Sequence, residues 1–540
     1  MTTVETAQRS EEAKDEAVPD SVSNWWARFD AWIERMGDGL NPILVKESRQ
    51  ALKSRQFLVT FSLLLLCGVG WSFIAVSLTR DATQLQQAGG IAFAGYYVVL
   101  AIPLLVIIPY ATFQSLADER HEGTFDLLSI TSLSSRQIVL GKLTSSLLQM
   151  MVYYSALAPC IAFTYLLPGI DILTMGFLLA WACVLSTLLC TLSLLLAALT
   201  RESSLQVIIS AALVIVLVLI AWGWLAYSVA TFLESAVSPL GSSEFWMFNL
   251  MLVMFAISFM LLFLEASAAR LRFASANRST TLRWLMLVQQ VLLVGWFAFG
   301  AEWQGVSSRE LAVGLFMWGG AYWGIMGFML TAELGELSPR AQRDLPRTAL
   351  GMLFLTWFNP GSGTGYLFAL LNMLMLVEFG IILSISSVGR PTVGIATSGE
   401  IAFGLLILAY LTLYLGLGRL VIMGLRRFVP VPFIAAVSLQ VLLVLGITSA
   451  PFLLMTMMDW DDQFYVWYQA TNWVWTLSEI LEYGGNWTRE RTIAVSLVVG
   501  FAILIFLANL FLLASEVTRT RIATPRRILE DESIPTEQEA

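Results

Sequence analysis

Apolar residues run along this chain in long blocks separated by short polar stretches. Twelve blocks reach the roughly 20 residues that a helix needs to cross a bilayer. They lie near 57–79, 91–113, 143–167, 172–199, 205–232, 245–264, 284–301, 311–331, 364–386, 401–423, 431–457 and 492–514. The pattern predicts an all-α polytopic membrane protein with about twelve transmembrane helices. An even number of crossings puts both termini on one side.

Charge fixes which side that is. With the termini cytoplasmic, the inside segments hold 26 of the 31 Lys and Arg residues, and the outside loops hold only Arg80, Arg309, Arg390, Arg489 and Arg491. The inverted topology would break the positive-inside rule at almost every loop. Two segments ahead of the first block read as amphipathic helices on the inner leaflet. In NWWARFDAWIERM, Trp25, Phe29, Trp32, Ile33 and Met36 recur at helical spacing. In NPILVKESRQALKSRQF, Leu44, Val45, Ser48, Ala51 and Leu52 share an arc opposite Lys46, Arg49, Gln50 and Lys53. Such a helix serves either as an anchor or as a docking surface for a partner.

Composition agrees with the pattern: 57% of residues are hydrophobic, 13% are charged and the mean hydropathy is +0.74. Soluble domains use about 45–50% apolar residues. A net charge of −8 and the acidic tail EDESIPTEQEA argue against nucleic acid as a partner. The polar first 20 residues lack the basic start and short apolar core of a cleavable signal, so the first span is the expected targeting element. Cys67, Cys160, Cys183 and Cys190 fall inside apolar blocks without metal or pairing spacing, and read as small buried hydrophobes.

One polar insert stands apart from the other loops. ADERHEGTFDLLSITSLSSRQIVLGK, residues 117–142, joins the second and third spans on the cytoplasmic side. It reads as a continuation of span 2 through Gln114–Glu122, a stop at Gly123, and a short helix capped by Thr124 with Asp126 in its first turn. Phe125, Leu127, Leu128 and Ile130 make that short helix too apolar for an idle loop and too brief to span. Ser134 and Gln137 have capping-box spacing, which marks the start of span 3.

NPILVKESRQALKSRQF ahead of span 1, together with Glu119, Glu122, Gly123, Thr124, Leu127, Leu128, Ser134, Ile138, Gly141 and Lys142 after span 2, resembles the type-2 (ABC-2-type export) permeases of ABC transporters. In that family an E-x-x-GT-x-x-LL stretch leads through a T-P-x-S turn to a GK at the third span. Thr131 and Ser134 hold the ends of that turn, but Ser132 stands where the family usually has proline, which makes the turn less rigid. The likeness covers residues 41 to about 265. It implies that 117–142 is a coupling region, pressed by an ABC ATPase subunit when that subunit closes around ATP. Glu119 and Glu122 would meet cations of the ATPase or of the protein's own basic segment. It further implies export across a plasma membrane, the inner membrane in a bacterium, by a homodimer or a pairing with another permease. ATP and Mg would be bound by the partner, with no cofactor on this chain. The sequence supports that division of labour, since no G-x-x-x-x-G-K-[ST] is present: Arg136 stands five residues before Gly141 and Leu143 follows Lys142.

The resulting expectation is a disordered tail (1–23), interfacial helices (24–56), a six-span permease domain (57–265), a linker (266–283), a second six-span domain (284–514) and a cytoplasmic tail (515–540). The permease motif does not obviously recur in the second half. Glu333, Glu336, Ser338 and Arg340 in TAELGELSPRAQRDLPR echo the insert, and Asn359-Pro360 echoes Asn41-Pro42, which leaves a diverged duplication open. Glu378, deep in span 9, is a candidate intramembrane functional acid, either neutral, paired with Gln289 and Gln290, or lining a polar path. Around Trp460, Trp467, Trp473, Trp475 and Trp487, the long outside segment predicts a helix on the outer leaflet. With one histidine, His121, and no nucleophile or metal motif, the chain is not expected to be an enzyme. The rival readings are an ion-coupled transporter using Glu378 and a membrane scaffold that does not transport.

Overall fold

In a computed structural model of the protein the described residues are 42–78, 88–121, 133–200, 203–233, 239–272, 277–303, 308–334, 356–386, 398–458, 465–483 and 487–521. They are helical, with no strand among them. Twelve of their helices are long and apolar enough to cross a membrane, so the protein is a multi-pass, all-α membrane protein. The expected helix around Trp25–Met36 and both terminal tails lie outside the described residues.

The helices are α1 (Pro42–Lys53), α2 (Arg55–Leu78), α3 (Ala88–Ile102), α4 (Ile108–His121), α5 (Ser135–Thr164), α6 (Ile172–Leu199), α7 (Ser203–Ser228), α8 (Ser243–Leu271), α9 (Thr280–Trp303), α10 (Ser308–Thr331), α11 (Ser362–Ser386), α12 (Ser398–Leu425), α13 (Phe433–Met458), α14 (Trp473–Tyr483) and α15 (Arg489–Arg521). Span 2 consists of α3 and α4 joined by a π-helical turn, Pro103–Ile107. Proline explains the turn: Pro109 has no N–H to offer the preceding carbonyls, and the Ser186 hydroxyl donates to the Leu104 carbonyl at 2.6 Å instead. The outward faces are apolar, with Leu66, Phe73, Trp222 and Met457 among the most exposed residues, as lipid contact requires. Cys67 is on such an outward face rather than buried.

The chain divides into two compact units between Ala236 and Val237. The expected boundary after residue 265 thus falls one span later than the packing boundary, because α8 packs with α9 in the second unit. In the first unit α4 lies along α6, and α1 lies along α5. Trp71 of α2 rests on α3 where Gly95 offers no side chain, and its indole N–H donates to the Ala92 carbonyl at 2.9 Å. In the second unit α10 packs against α11 and α12, and α12 packs against α15. Small residues permit these approaches: a Cβ on Gly365 would stand 2.8 Å from the Leu330 carbonyl oxygen, and the Phe316 ring fills the space left by Gly380 and Gly404.

The aromatic-rich segment after α13 gives an 11-residue helix, α14, with Thr476, Leu477 and Ile480 turned inward and Trp473 and Trp475 exposed. Trp467, Tyr483 and Trp487 are exposed near it in sequence, consistent with an aromatic belt at the membrane surface. The segment carrying Asp459, Asp461 and Asp462 lies outside the described residues.

Candidate functional site

The polar insert rests on a buried ion cluster at its base. α4 runs to His121, as the sequence predicts, and presents Ser115 and Glu119 one turn apart on one face. α5 begins at the predicted cap: the Ser134 hydroxyl accepts from the Gln137 amide at 3.3 Å, and the Ser134 amide donates to Gln137 Oε1 at 2.8 Å. Two turns into α5, Lys142 is 2% exposed.

Its ammonium sits 2.9 Å from Glu119 Oε2 and 3.2 Å from Glu47 Oε1, and donates to the Ser115 hydroxyl at 2.8 Å and the Ser115 carbonyl at 3.1 Å. Ser115 in turn donates its hydroxyl proton to Glu47 Oε2 at 3.0 Å. Lys46 completes the set at 3.3 Å from Glu119 Oε1 and 3.9 Å from Glu47 Oε1. Two cations therefore balance two carboxylates, and the buried ammonium has acceptors for all three of its protons. An uncompensated charge at this depth would cost several kcal/mol, so the arrangement fixes its members in place.

Sequence reasoning named Glu119 and Lys142 separately and did not foresee that they meet. Of the two alternatives for Glu119, it is the protein's own basic segment that the carboxylate reaches within the described residues. Glu47 and Ser115 were missed altogether. The wheel had put Lys46, Arg49, Gln50 and Lys53 on the outer face of α1, where they are, but the buried side centres on Ile43 and Glu47. An acid beside an apolar arc, with a lysine entering a nearby span, was the available signal. Gly141, beside Lys142, is buried. Glu122, Gly123, Thr124, Leu127 and Leu128 lie outside the described residues.

The next residue of α4 faces another helix. Arg120 donates to the carbonyls of Ala197 and Ala198 in the last turn of α6, where backbone oxygens lack helical partners and a cation is favoured. Consecutive residues at the end of span 2 thus tie it to α1, α5 and α6.

A second buried cluster forms within the second unit. Arg283, 0% exposed at the start of α9, reaches Glu333 Oε2 at 2.8 Å, the Trp357 carbonyl at 2.5 Å, the Gly361 carbonyl at 3.2 Å, Thr364 Oγ1 at 3.2 Å and Ser279 Oγ at 3.0 Å. Glu333 also accepts from the Ser279 hydroxyl at 2.8 Å and from the Gly361 amide at 3.4 Å. Gly361 has φ 149°, a backbone state that a side chain would strain. Of the residues echoing the insert, Glu333 is in this cluster, whereas Glu336, Ser338 and Arg340 lie outside the described residues.

Of the alternatives for Glu378, the pairing with Gln289 and Gln290 is not formed. Glu378 sits on the exposed side of α11 with Leu371, Met375 and Ile382, and makes no hydrogen bond or ion pair with described residues. Gln289 and Gln290 are engaged elsewhere: Tyr322 donates to Gln289 at 2.6 Å, Trp323 donates to Gln290 at 2.8 Å, and Gln290 donates to the Asn372 carbonyl at 3.2 Å. The Gln289 amide nitrogen donates to Ser258 Oγ at 3.4 Å, so both glutamines have partners in the interior while Glu378 is on the exposed face. Among the described residues no group of His, Cys, Asp and Glu could hold a metal ion. No known protein family, curated protein or solved structure matches this chain.

Proposed function

We propose that the chain is the membrane-spanning permease of an ATP-driven ABC-type exporter, and that a separate ATPase subunit pushes on residues 117–142. The observation that supports this best is the burial of Lys142 between Glu47 and Glu119. A loop that merely joined two spans would need no ion cluster at its base. Here the segment between His121 and Leu133 hangs from two anchored points: α4, tied to α1, α5 and α6, and α5, capped at Ser134. A load delivered to either anchored end passes into packed helices, which is what coupling to ATP hydrolysis in a partner asks of a permease. Ion-coupled transport through Glu378 asks for a carboxylate turned into the bundle, and Glu378 faces out of its unit.

The test is purification of the tagged full chain from native membranes in mild detergent, with identification of bound proteins and assay of ATP hydrolysis. A stoichiometric subunit carrying a P-loop, lost on replacing Leu127 and Leu128 with Asp, is the expected result. A chain that purifies alone and still transports would refute the proposal.

A further inference from the structure

Three exposed cations stand at the mouth of the first span. Arg49 and Lys53, four residues apart, share the outward face of α1, and Arg55 opens α2. None makes an ion pair or side-chain hydrogen bond with described residues, whereas Lys46 on the same helix is held by Glu119. The three therefore carry like charge on one stretch of chain, with no acid among the described residues paired to them.

Their depth follows from the helix junction. Ser54 ends α1 with its hydroxyl on the Ala51 carbonyl at 2.7 Å and starts α2 by accepting from the Phe57 amide at 3.1 Å. The lipid-facing residues Leu58 and Val59 begin one turn past Arg55. Hydrocarbon thus starts immediately on one side of the cations, and the polar face of an amphipathic helix lies on the other. That level is occupied by phospholipid phosphates, and the positive-inside pattern puts it on the leaflet that carries anionic lipid.

We propose that Arg49, Lys53 and Arg55 form a binding site for the headgroup phosphates of anionic phospholipids. The occupant is lipid rather than free phosphate, because the cations are exposed along a surface and do not close around a pocket. This assignment does not depend on the chain being an ABC permease.

The test uses the full chain in mixed micelles of phosphatidylcholine and phosphatidylglycerol at low salt, with the lipid retained after purification counted by mass spectrometry. Each of Arg49→Gln, Lys53→Gln and Arg55→Gln is expected to lower phosphatidylglycerol retention about fivefold, and the triple variant to abolish the preference. Arg427→Gln, which removes an exposed arginine from the second unit, should leave it unchanged. The charge-keeping variant with Arg49→Lys and Arg55→Lys should retain the lipid, which separates loss of charge from loss of fold. Undiminished phosphatidylglycerol in the triple variant would overturn the proposal. So would equal displacement of the lipid by inorganic phosphate, or a triple variant that loses a bound acidic protein while keeping its lipid.

Discussion

Replacing Lys142 with Met should destabilise the first unit by more than any other single change at the base of the insert. The ammonium is 2% exposed and lies within 3.2 Å of two carboxylates, so its loss leaves Glu47 and Glu119 facing each other across an apolar side chain. Breaking a buried pair in this way costs about 3–5 kcal/mol. Lys46 can return little of that: its side chain is 55% exposed, and exposed pairs are worth about 0–1 kcal/mol. Glu47→Gln or Glu119→Gln alone should cost less, since Lys142 keeps one carboxylate and the Ser115 oxygens. The decisive construction is the triple change Lys142→Met, Glu47→Gln, Glu119→Gln. It removes the three buried charges while nearly preserving shape, leaves only the half-exposed Lys46 charged, and should recover stability to within about 1 kcal/mol of the parent. Unfolding in mixed detergent micelles, followed by tryptophan fluorescence, reads all five proteins. A Lys142→Met chain as stable as the parent, or a triple variant no better than Lys142→Met, would refute the reasoning.

The second cluster should behave in the same way: Arg283→Met leaves Glu333 without its buried cation and should cost about 3–5 kcal/mol in the same assay, with Glu333→Gln in the same chain restoring most of it. Gly365→Ala forces a Cβ against the Leu330 backbone and should cost about 1–3 kcal/mol, visible as a lowered unfolding midpoint. Ser134→Ala removes the cap of α5 and should cost about 1 kcal/mol. Asp171 caps α6, accepting from the Thr174 amide at 3.0 Å and its hydroxyl at 2.6 Å. Burial alone would raise its carboxyl, but these hydrogen bonds outweigh burial and hold it below its usual 3.8. Its contribution is therefore complete above that value and is lost as pH falls through the lower folded value, so the stability gap between the parent and Asp171→Asn should shrink only in strongly acidic buffer.

Hydropathy carried most of the fold, because a helix in lipid must be long and apolar regardless of its neighbours. All twelve expected blocks coincide with candidate spans, and the cap at Ser134 was legible because a capping box is local in sequence. What was not legible depended on tertiary approach. Glu47 lies 95 residues from Lys142, and nothing local says that α1 will lie along α5. The placement of α8 with the second unit was hidden for the same reason: hydropathy counts spans without saying which ones touch. Glu378 shows the limit from the other side. Its depth in the apolar block was visible, but the face it occupies depends on which side of α11 packs against α10, as Gly365 and Gly380 do.

The central claim is that the polar insert is where an ATPase subunit grips this chain. It is tested most directly by a photo-activated cross-linking residue at Leu128, with a second chain carrying the residue at Trp475 on α14 as the opposite-side control. After irradiation of native membranes, the account predicts an adduct with a P-loop ATPase from position 128 and none from position 475. Adducts from position 128 with lipid alone, while the chain still transports, would contradict it.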